Sequence, residues 1–284
     1  MKSKQLAISG ILEQKLSKLH YAPKNLYARG ALDINDLLQR PIVGIVGTRL
    51  PTPYGAGVVN DLVEQLVRRG VVIVSGLALG TDGLSHQACI RAGGQTIAVL
   101  PSGIETIYPR THNPLGQLIE EKGLLISEYP GDGLPRKDQF IARNRIIAAL
   151  SDVLVIPEAA ERSGSLHTAN FSLEIGIPVM AVPGNITSRF SGGTNKLIAQ
   201  GATPVLGVGD IFHQLKIDTE EAADYVPESE AEHQLLEAMS SGLQDGSAIR
   251  NTSGLTAQDF MQTLSMLEIK GVIRALGGDQ WRKV

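Results

Sequence analysis

The chain has 284 residues, 43% of them hydrophobic and 19% charged, with a formal net charge of −3. That composition supports a buried core in one large domain, or a large domain plus a small one, and excludes a disordered chain. The slight acidity gives no overall attraction to nucleic acid or to an anionic membrane, so any polyanion site must be a local basic patch.

The first forty residues carry little pattern, and "LEQKLSKLHYAPKNLYARGAL" is expected to pack along the main domain as a short entry segment. From Pro41 short β-branched runs alternate with helical patterns. "PIVGIVG" reads as a buried strand. "GAGVVNDLVEQLVRRG" follows as a helix with Val58, Leu62, Leu66 and Val67 on one face, stopped by Gly70. "VVIVSG" is a second strand, and "GTDGLSHQACIRAGG" a helix with Asp82 in its opening turn. "QTIAVLPSG", "GLLISEYP", "SDVLVIPEA" and "GIPVMAVPG" continue the strand series. These strands are apolar throughout rather than alternating, as expected where helices cover both faces of a sheet. The reading is α/β: a Rossmann-like, doubly wound, mostly parallel sheet over 41–215.

An acidic stretch, 216–228, reads as a linker. Over 229–284 the expected elements are three helices, with Thr256 capping the third, and a hairpin turning at Gly277–Gly278. That is the pattern of a small C-terminal winged helix. Winged helices often read duplex DNA, but residues 228–284 hold eight acidic and five basic side chains, 5 − 8 = −3. A phosphate-gripping helix needs more positive charge, so protein contact is the expected role of this domain.

Three strand ends carry small residues: 47–55, 75–83 and 161–169. Glycine, serine and threonine at strand-to-helix turns let backbone N–H groups point at a phosphate. Any doubly wound sheet needs such turns, and none matches a P-loop or a dinucleotide fingerprint. Beside them, "RKDQFIARNRIIAAL" crowds Arg136, Lys137, Arg143 and Arg145 around Phe140. Arginine grips phosphate bidentately, and an aromatic face stacks an unpaired base. Basic residues interleaved with an aromatic suit a single strand better than a small nucleotide, although Phe140 as core and the arginines as carboxylate partners would give the same spacing.

Catalytic and metal constellations are thin. Asp82 and His86 lie four apart on a helix, which fits a capping Asp and a packed His. Glu158 stands near Ser163 and Ser165 without a nucleophile–base–orienter set. The six histidines lack ligand spacing, and Cys89, the only cysteine, excludes an internal disulfide and fits a reducing compartment. No cofactor, metal or catalytic residue is expected. With no run near the roughly 20 apolar residues of a membrane span and no signal-peptide core at the N-terminus, the expectation is a cytoplasmic protein.

In this order the runs "IVGTRLPTPYG", Val72 to His86, "TIAVLPSGIETIYP", "ISEYP", "FIARNRIIAALS", "EAAERSGSLHTA" and "AVPG…GTNKLIAQGA" resemble the DNA-processing protein A family (DprA, also called Smf) over Leu19 to Leu215. The resemblance implies a Rossmann-like, non-catalytic binder of single-stranded DNA with little sequence preference. Such proteins protect incoming strands and load the RecA recombinase during natural transformation, as homodimers formed through the Rossmann-like domain. The implied contacts are Gly47, Thr48 and Arg49 in the first loop, and Ser75, Gly76 and Gly80 in the second. Lys137, Phe140, Arg143, Asn144 and Arg145 follow, then Arg162, Ser163, Gly164 and Ser165. The forty residues before Pro41 are too few for the N-terminal helical domain many members carry. His167 stands where an apolar residue is usual, and Thr81 where isoleucine is commoner. The competing reading is a nucleotide enzyme of the lysine-decarboxylase-like phosphoribohydrolase type, with "ERSGSLHTANFSLE" and Glu174 at its site, though the double glycine of that family's phosphate loop is missing.

Overall fold

A computed structural model describes residues 2–217, 225 and 227–283, and divides the chain into two compact units, Met1–Asp218 and Thr219–Val284. The expected acidic linker, 216–228, falls largely outside the described residues.

The expected entry segment holds β1 (Lys4–Gln5), α1 (Gly10–Leu16), β2 (Tyr27–Gly30) and α2 (Ile34–Leu38). Then come β3 (Ile42–Ile45), α3 (Pro53–Arg68), β4 (Val72–Ser75), α4 (Thr81–Arg91), β5 (Thr96–Gly103), α5 (Asn113–Lys122) and β6 (Leu124–Tyr129). The unit closes with α6 (Lys137–Leu150), β7 (Val153–Ile156), α7 (Ser165–Glu174), β8 (Val179–Ala181), α8 (Gly192–Ala199), β9 (Thr203–Pro204) and α9 (Val208–Leu215).

Among the described residues nine strands form one sheet in the order β1-β2-β6-β5-β4-β3-β7-β8-β9. From β6 to β9 every pairing is parallel, and β2 and β1 add an antiparallel edge. The segment before Pro41 is therefore hydrogen-bonded into the sheet through β1 and β2, with Tyr27 opposite Ser127 and Gly30 opposite Leu124. The central strands are buried end to end, which accounts for their unbroken apolar runs. On one face Val59, Leu62, Val63 and Leu66 of α3 pack with Cys89 and Phe212 on Val43, Ile45, Ile73 and Val155. Ile146, Ile147 and Leu150 of α6 pack on the other with Leu12, Leu16, Val72, Val99 and Ile156. Burial pushes the Cys89 thiol up to about 12, so it stays a neutral core group.

The second unit has α10 (Glu230–Ser240), α11 (Gly246–Ser253), α12 (Ala257–Ile269), β10 (Ile273–Gly277) and β11 (Gln280–Lys283) around Leu235, Leu236, Ile249, Phe260, Leu264 and Leu267. Thr256 caps α12, its hydroxyl accepting from the Asp259 N–H at 3.2 Å. The hairpin turns one residue later than expected, on Gly278 and Asp279, both at φ +60°. Two residues with positive φ form the type I′ turn that matches strand twist. This three-helix-plus-hairpin unit is a winged helix.

Candidate nucleic-acid interface

The chain reverses direction across the sheet at β3, which lies between β4 and β7. Ligands of open α/β sheets bind outside the carboxyl ends of the strands at such a switch point. The loops leaving β3, β4 and β7 meet there and are bonded to one another. Thr48 N–H donates to the Glu158 carbonyl at 2.8 Å. The Thr48 carbonyl in turn accepts from Thr81 N–H at 3.0 Å and the Thr81 hydroxyl at 3.1 Å. A side chain at Gly47 would sit 2.6 Å from the Thr81 hydroxyl oxygen, and Gly80, at φ +78°, backs directly onto Thr48 and Arg49. Only glycine fits either place.

On this platform Arg49 is exposed, its guanidinium carbon 5.7 Å from the centroid of the Phe140 ring. Tyr108 meets Phe140 edge to face at 5.7 Å. A guanidinium above one aromatic ring, with a second ring at its edge, combines cation–π and T-shaped packing. Arg49, Ala78, Leu79, Pro101, Tyr108 and Phe140 surround a shallow cavity of about 90 Å³. Tyr108 and Leu79 are exposed there. Lys137, the first residue of α6, is exposed and forms no ion pair among the described residues. A cation in a first helical turn opposes the helix dipole, so helix stability does not explain it. Gln139 closes that turn by accepting from Arg136 N–H at 2.6 Å.

Several expected contacts face inward. The Ser75 hydroxyl is fully buried and donates to the Ile45 carbonyl at 2.5 Å, tying β4 to β3. Arg143 is 5% exposed. Its Nη1 donates to the Gly76 and Val99 carbonyls and its Nε to Asn144 Oδ1 at 3.1 Å. Burial pulls its pKa down to about 10, the Asp82 carboxylate opposing and Arg49 adding to the fall. Asp82 is itself buried, accepts from Gly76 N–H at 3.1 Å, and is raised by that burial. Arg145 places Nη2 on both oxygens of Glu128, at 2.8 and 2.9 Å. These two arginines are thus partners of carbonyls and a carboxylate rather than open phosphate ligands. Helical spacing groups Phe140, Arg143 and Asn144, but it does not say which of them the β-sheet absorbs.

At the β7 end, Arg162 and Gly164 are exposed, while Ser163 and Ser165 share a hydroxyl–hydroxyl bond of 2.8 Å at the start of α7. Glu174 lies at the far end of α7, about 14 Å from that turn at 1.5 Å per residue. Glu174 therefore stands apart from that turn. Asp82 and His86 do not pair: His86 Nδ1 bonds the Thr96 hydroxyl at 2.7 Å. The residue that sequence reasoning missed is Tyr108. The signal was its place in "GIETIYPR", directly after a strand end on the same sheet edge as the small-residue loops.

Among the described residues no His, Cys, Asp and Glu group is placed to hold a metal, and no helix is long and apolar enough to cross a membrane. The class defined here is a Rossmann-like domain with a basic, aromatic strand-end face, joined to a winged helix. The chain belongs to the family of DNA recombination-mediator protein A, whose domain it matches over residues 11–216, followed by the DprA winged helix domain over 219–279. It is 44% identical to the DNA processing protein DprA of Bacillus subtilis over 200 residues, 70% of this chain and 67% of that one. It is 36% identical to the putative DNA processing protein DprA of Mycobacterium tuberculosis over 270 residues, 92% and 69% of the two chains. The X-ray structure of DprA from Streptococcus pneumoniae superposes with a TM-score of 0.70 at 38% identity, covering 75% of this chain and 74% of that one. A Helicobacter pylori DprA structure, described for its single-stranded DNA binding mode, superposes with a TM-score of 0.68 at 34% identity over 76% and 96%.

Proposed function

We propose that this protein binds single-stranded DNA without chemical turnover and hands the strand to a RecA-type recombinase, protecting incoming DNA in a transformation pathway. The observation that carries the reading is the Arg49–Phe140–Tyr108 cluster, its arginine and tyrosine exposed and its phenylalanine half-buried, with Lys137 on the adjoining helix end, on a chain whose net charge is −3. Phe140 and Tyr108 offer π-faces to unpaired bases. Arg49, Lys137 and Arg162 supply phosphate partners, with the Gly47–Thr48, Gly76–Gly80 and Ser163–Ser165 turns as the floor. The Helicobacter pylori relative, described as a single-stranded DNA binder, supports the same assignment. Protein partner and homodimer rest on family resemblance, and cytoplasmic location on the single cysteine and the lack of a membrane-length apolar run in the sequence.

The winged helix is assigned to protein contact. Its α12 exposes Met261, Met266 and Ile269. The amine of the adjoining Lys270 is engaged by Tyr225, Glu228 and Glu232 at 2.6, 2.8 and 2.9 Å, so it is not free for a duplex phosphate.

Fluorescence anisotropy with labelled oligo-dT and a matched duplex, at several salt concentrations, tests the reading. Preference for the single strand is expected, with a log–log salt slope of about −0.7 per neutralised phosphate. Phe140→Ala should cost about 1–3 kcal/mol of binding, and Arg49→Ala or Lys137→Glu should weaken all sequences alike. Tight duplex binding at physiological salt would sink the protein-contact role of the winged helix, and unchanged affinity in all three variants would sink the site. For the handover, RecA filaments should form faster on a strand already covered by a competing binder when this protein is added.

A further inference from the structure

Past the Arg49 platform the sheet continues through β7 to β8. The loop leaving each of these strands carries one exposed arginine: Arg49 after β3, Arg162 after β7 and Arg189 after β8. None of the three forms an ion pair among the described residues. Neighbouring strands of a sheet lie about 4.8 Å apart, so the β3 and β8 ends are separated by roughly 10 Å. A row of like charges on one edge repels itself, and a polyanion lying along the row relieves that repulsion while releasing its own counterions.

The three loops are joined. Gly193 N–H, at the far end of the β8 loop, donates to the Ala159 carbonyl at 2.8 Å. On the other side the exposed Tyr54, at the start of α3, donates its hydroxyl to the Pro183 carbonyl at 2.9 Å. Between the β3 and β8 loops runs a crevice of about 330 Å³ lined by Thr52, Tyr54, Asn185, Ser188 and Ser191. The Glu158 carboxylate beneath it is 2% exposed and accepts from the Thr52 N–H and hydroxyl, at 2.8 Å each, so it turns no anionic edge to a passing strand. The β8 loop is also shaped from within. The Asn195 amide clamps Gly184, accepting from its N–H at 3.1 Å and donating to its carbonyl at 3.0 Å. Asn185 Oδ1 accepts from the N–H and hydroxyl of Thr187 at 2.9 and 2.8 Å, and Phe190 N–H donates to the Ser188 hydroxyl oxygen at 3.3 Å. So held, the loop presents Arg189 with its guanidinium carbon 4.7 Å from the centroid of the half-buried Phe190 ring. Arg49 and Phe140 make the same cation–aromatic pairing at 5.7 Å. Such a pair offers a guanidinium to phosphate and stacking surfaces to a base, and neither contact reads which base it is.

We propose that the bound single strand continues past Arg49 along this edge, over Tyr54 and Arg162, to a second phosphate-and-base station at Arg189 and Phe190. This rests on the single-strand reading above and adds to it the direction of the strand and the length of the site. The strand crosses the sheet ends from β5 toward β8, and its far end is held as its near end is, by an arginine set on an aromatic ring.

The test uses the full chain and labelled oligo-dT of stepwise increasing length, read by fluorescence anisotropy at several salt concentrations. Affinity of the unmodified protein should rise with length until the strand spans both stations, then level off. Arg189→Ala should leave the shortest bound strands unaffected, weaken the long ones roughly three- to tenfold, and lower their log–log salt slope by about 0.7. Arg68→Ala removes the same charge at the opposite end of α3, about 22 Å from its first residue, and should change neither quantity. Long strands bound equally, with equal slopes, by the parent and Arg189→Ala overturn the proposal. So does a loss that is as large for the shortest strands, which would make Arg189 part of the first station, or one that Arg68→Ala reproduces, which would make it an effect of overall charge. Unchanged strand binding with slower RecA filament formation would make the β8 loop a protein contact and equally overturn it. If no oligo-dT binds the unmodified protein, the single-strand reading falls and takes this inference with it. If short strands bind and Arg189→Ala is silent at every length, this inference alone falls.

Discussion

Arg143→Met should destabilise the first unit by about 3–5 kcal/mol, the range seen when one partner of a buried charged pair is removed. Methionine nearly keeps the volume but leaves the Gly76 and Val99 carbonyls without their donor, and leaves the buried Asp82 carboxylate without the guanidinium that opposes its desolvation. Each loss is of the kind that produces the largest single-residue effects. Denaturant unfolding followed by circular dichroism measures it. Trp281, the only tryptophan, belongs to the second unit, so its fluorescence reports that unit separately and should move little. A variant as stable as the parent but deficient in strand binding would return Arg143 to the role of a direct phosphate ligand.

His86→Gln should change how stability depends on pH. The imidazole is fully buried, and burial, with His112 and Arg143 nearby, lowers its pKa from 6.5 to about 3. The Thr96 hydroxyl already donates to the Ile73 carbonyl at 2.8 Å, so its oxygen accepts from His86 Nδ1–H. Protonation would add an N–H at Nε2, which has no partner. A depressed folded pKa means stability that is complete above 6.5 and is lost as pH falls toward about 3. The stability gap between parent and variant should therefore shrink by about 1.4 kcal/mol per pH unit through that window. Asp82, raised by burial, drives the parent in the opposite direction as pH falls, which is why the difference between the two proteins is the quantity to follow. A gap that stays constant from pH 7 to 4 would rule out a buried neutral His86.

The parallel core of the sheet was legible because its strands are buried on both faces and so read as unbroken apolar runs. β1 and β2 were not: Lys4–Gln5 is exposed and Tyr27–Gly30 is short and mixed, because both sit at an antiparallel edge. Of the candidate site, the loops at Gly47 and Gly80 could be read from their residue types, and Phe140 from its basic neighbours. The fate of Arg143 and Arg145 could not, because their partners Gly76, Val99 and Glu128 lie just after β4, in β5 and in β6, far away in the sequence. Tyr108 was hidden for a related reason, since 32 residues separate it from the ring it touches. Glu158 was noted for its acidity, while its meaning lies in the Thr52 backbone folded against it.

The bonding of Thr48 to both Glu158 and Thr81 makes three separate loops one piece of masonry. Independent loops would lose conformational entropy each time a strand arrived. Here that ordering is complete when the chain has folded, so the entropy lost on association comes chiefly from the nucleic acid. Calorimetric entropy should then scale with the number of nucleotides held, and stiffening the oligonucleotide rather than the protein is the route to tighter binding.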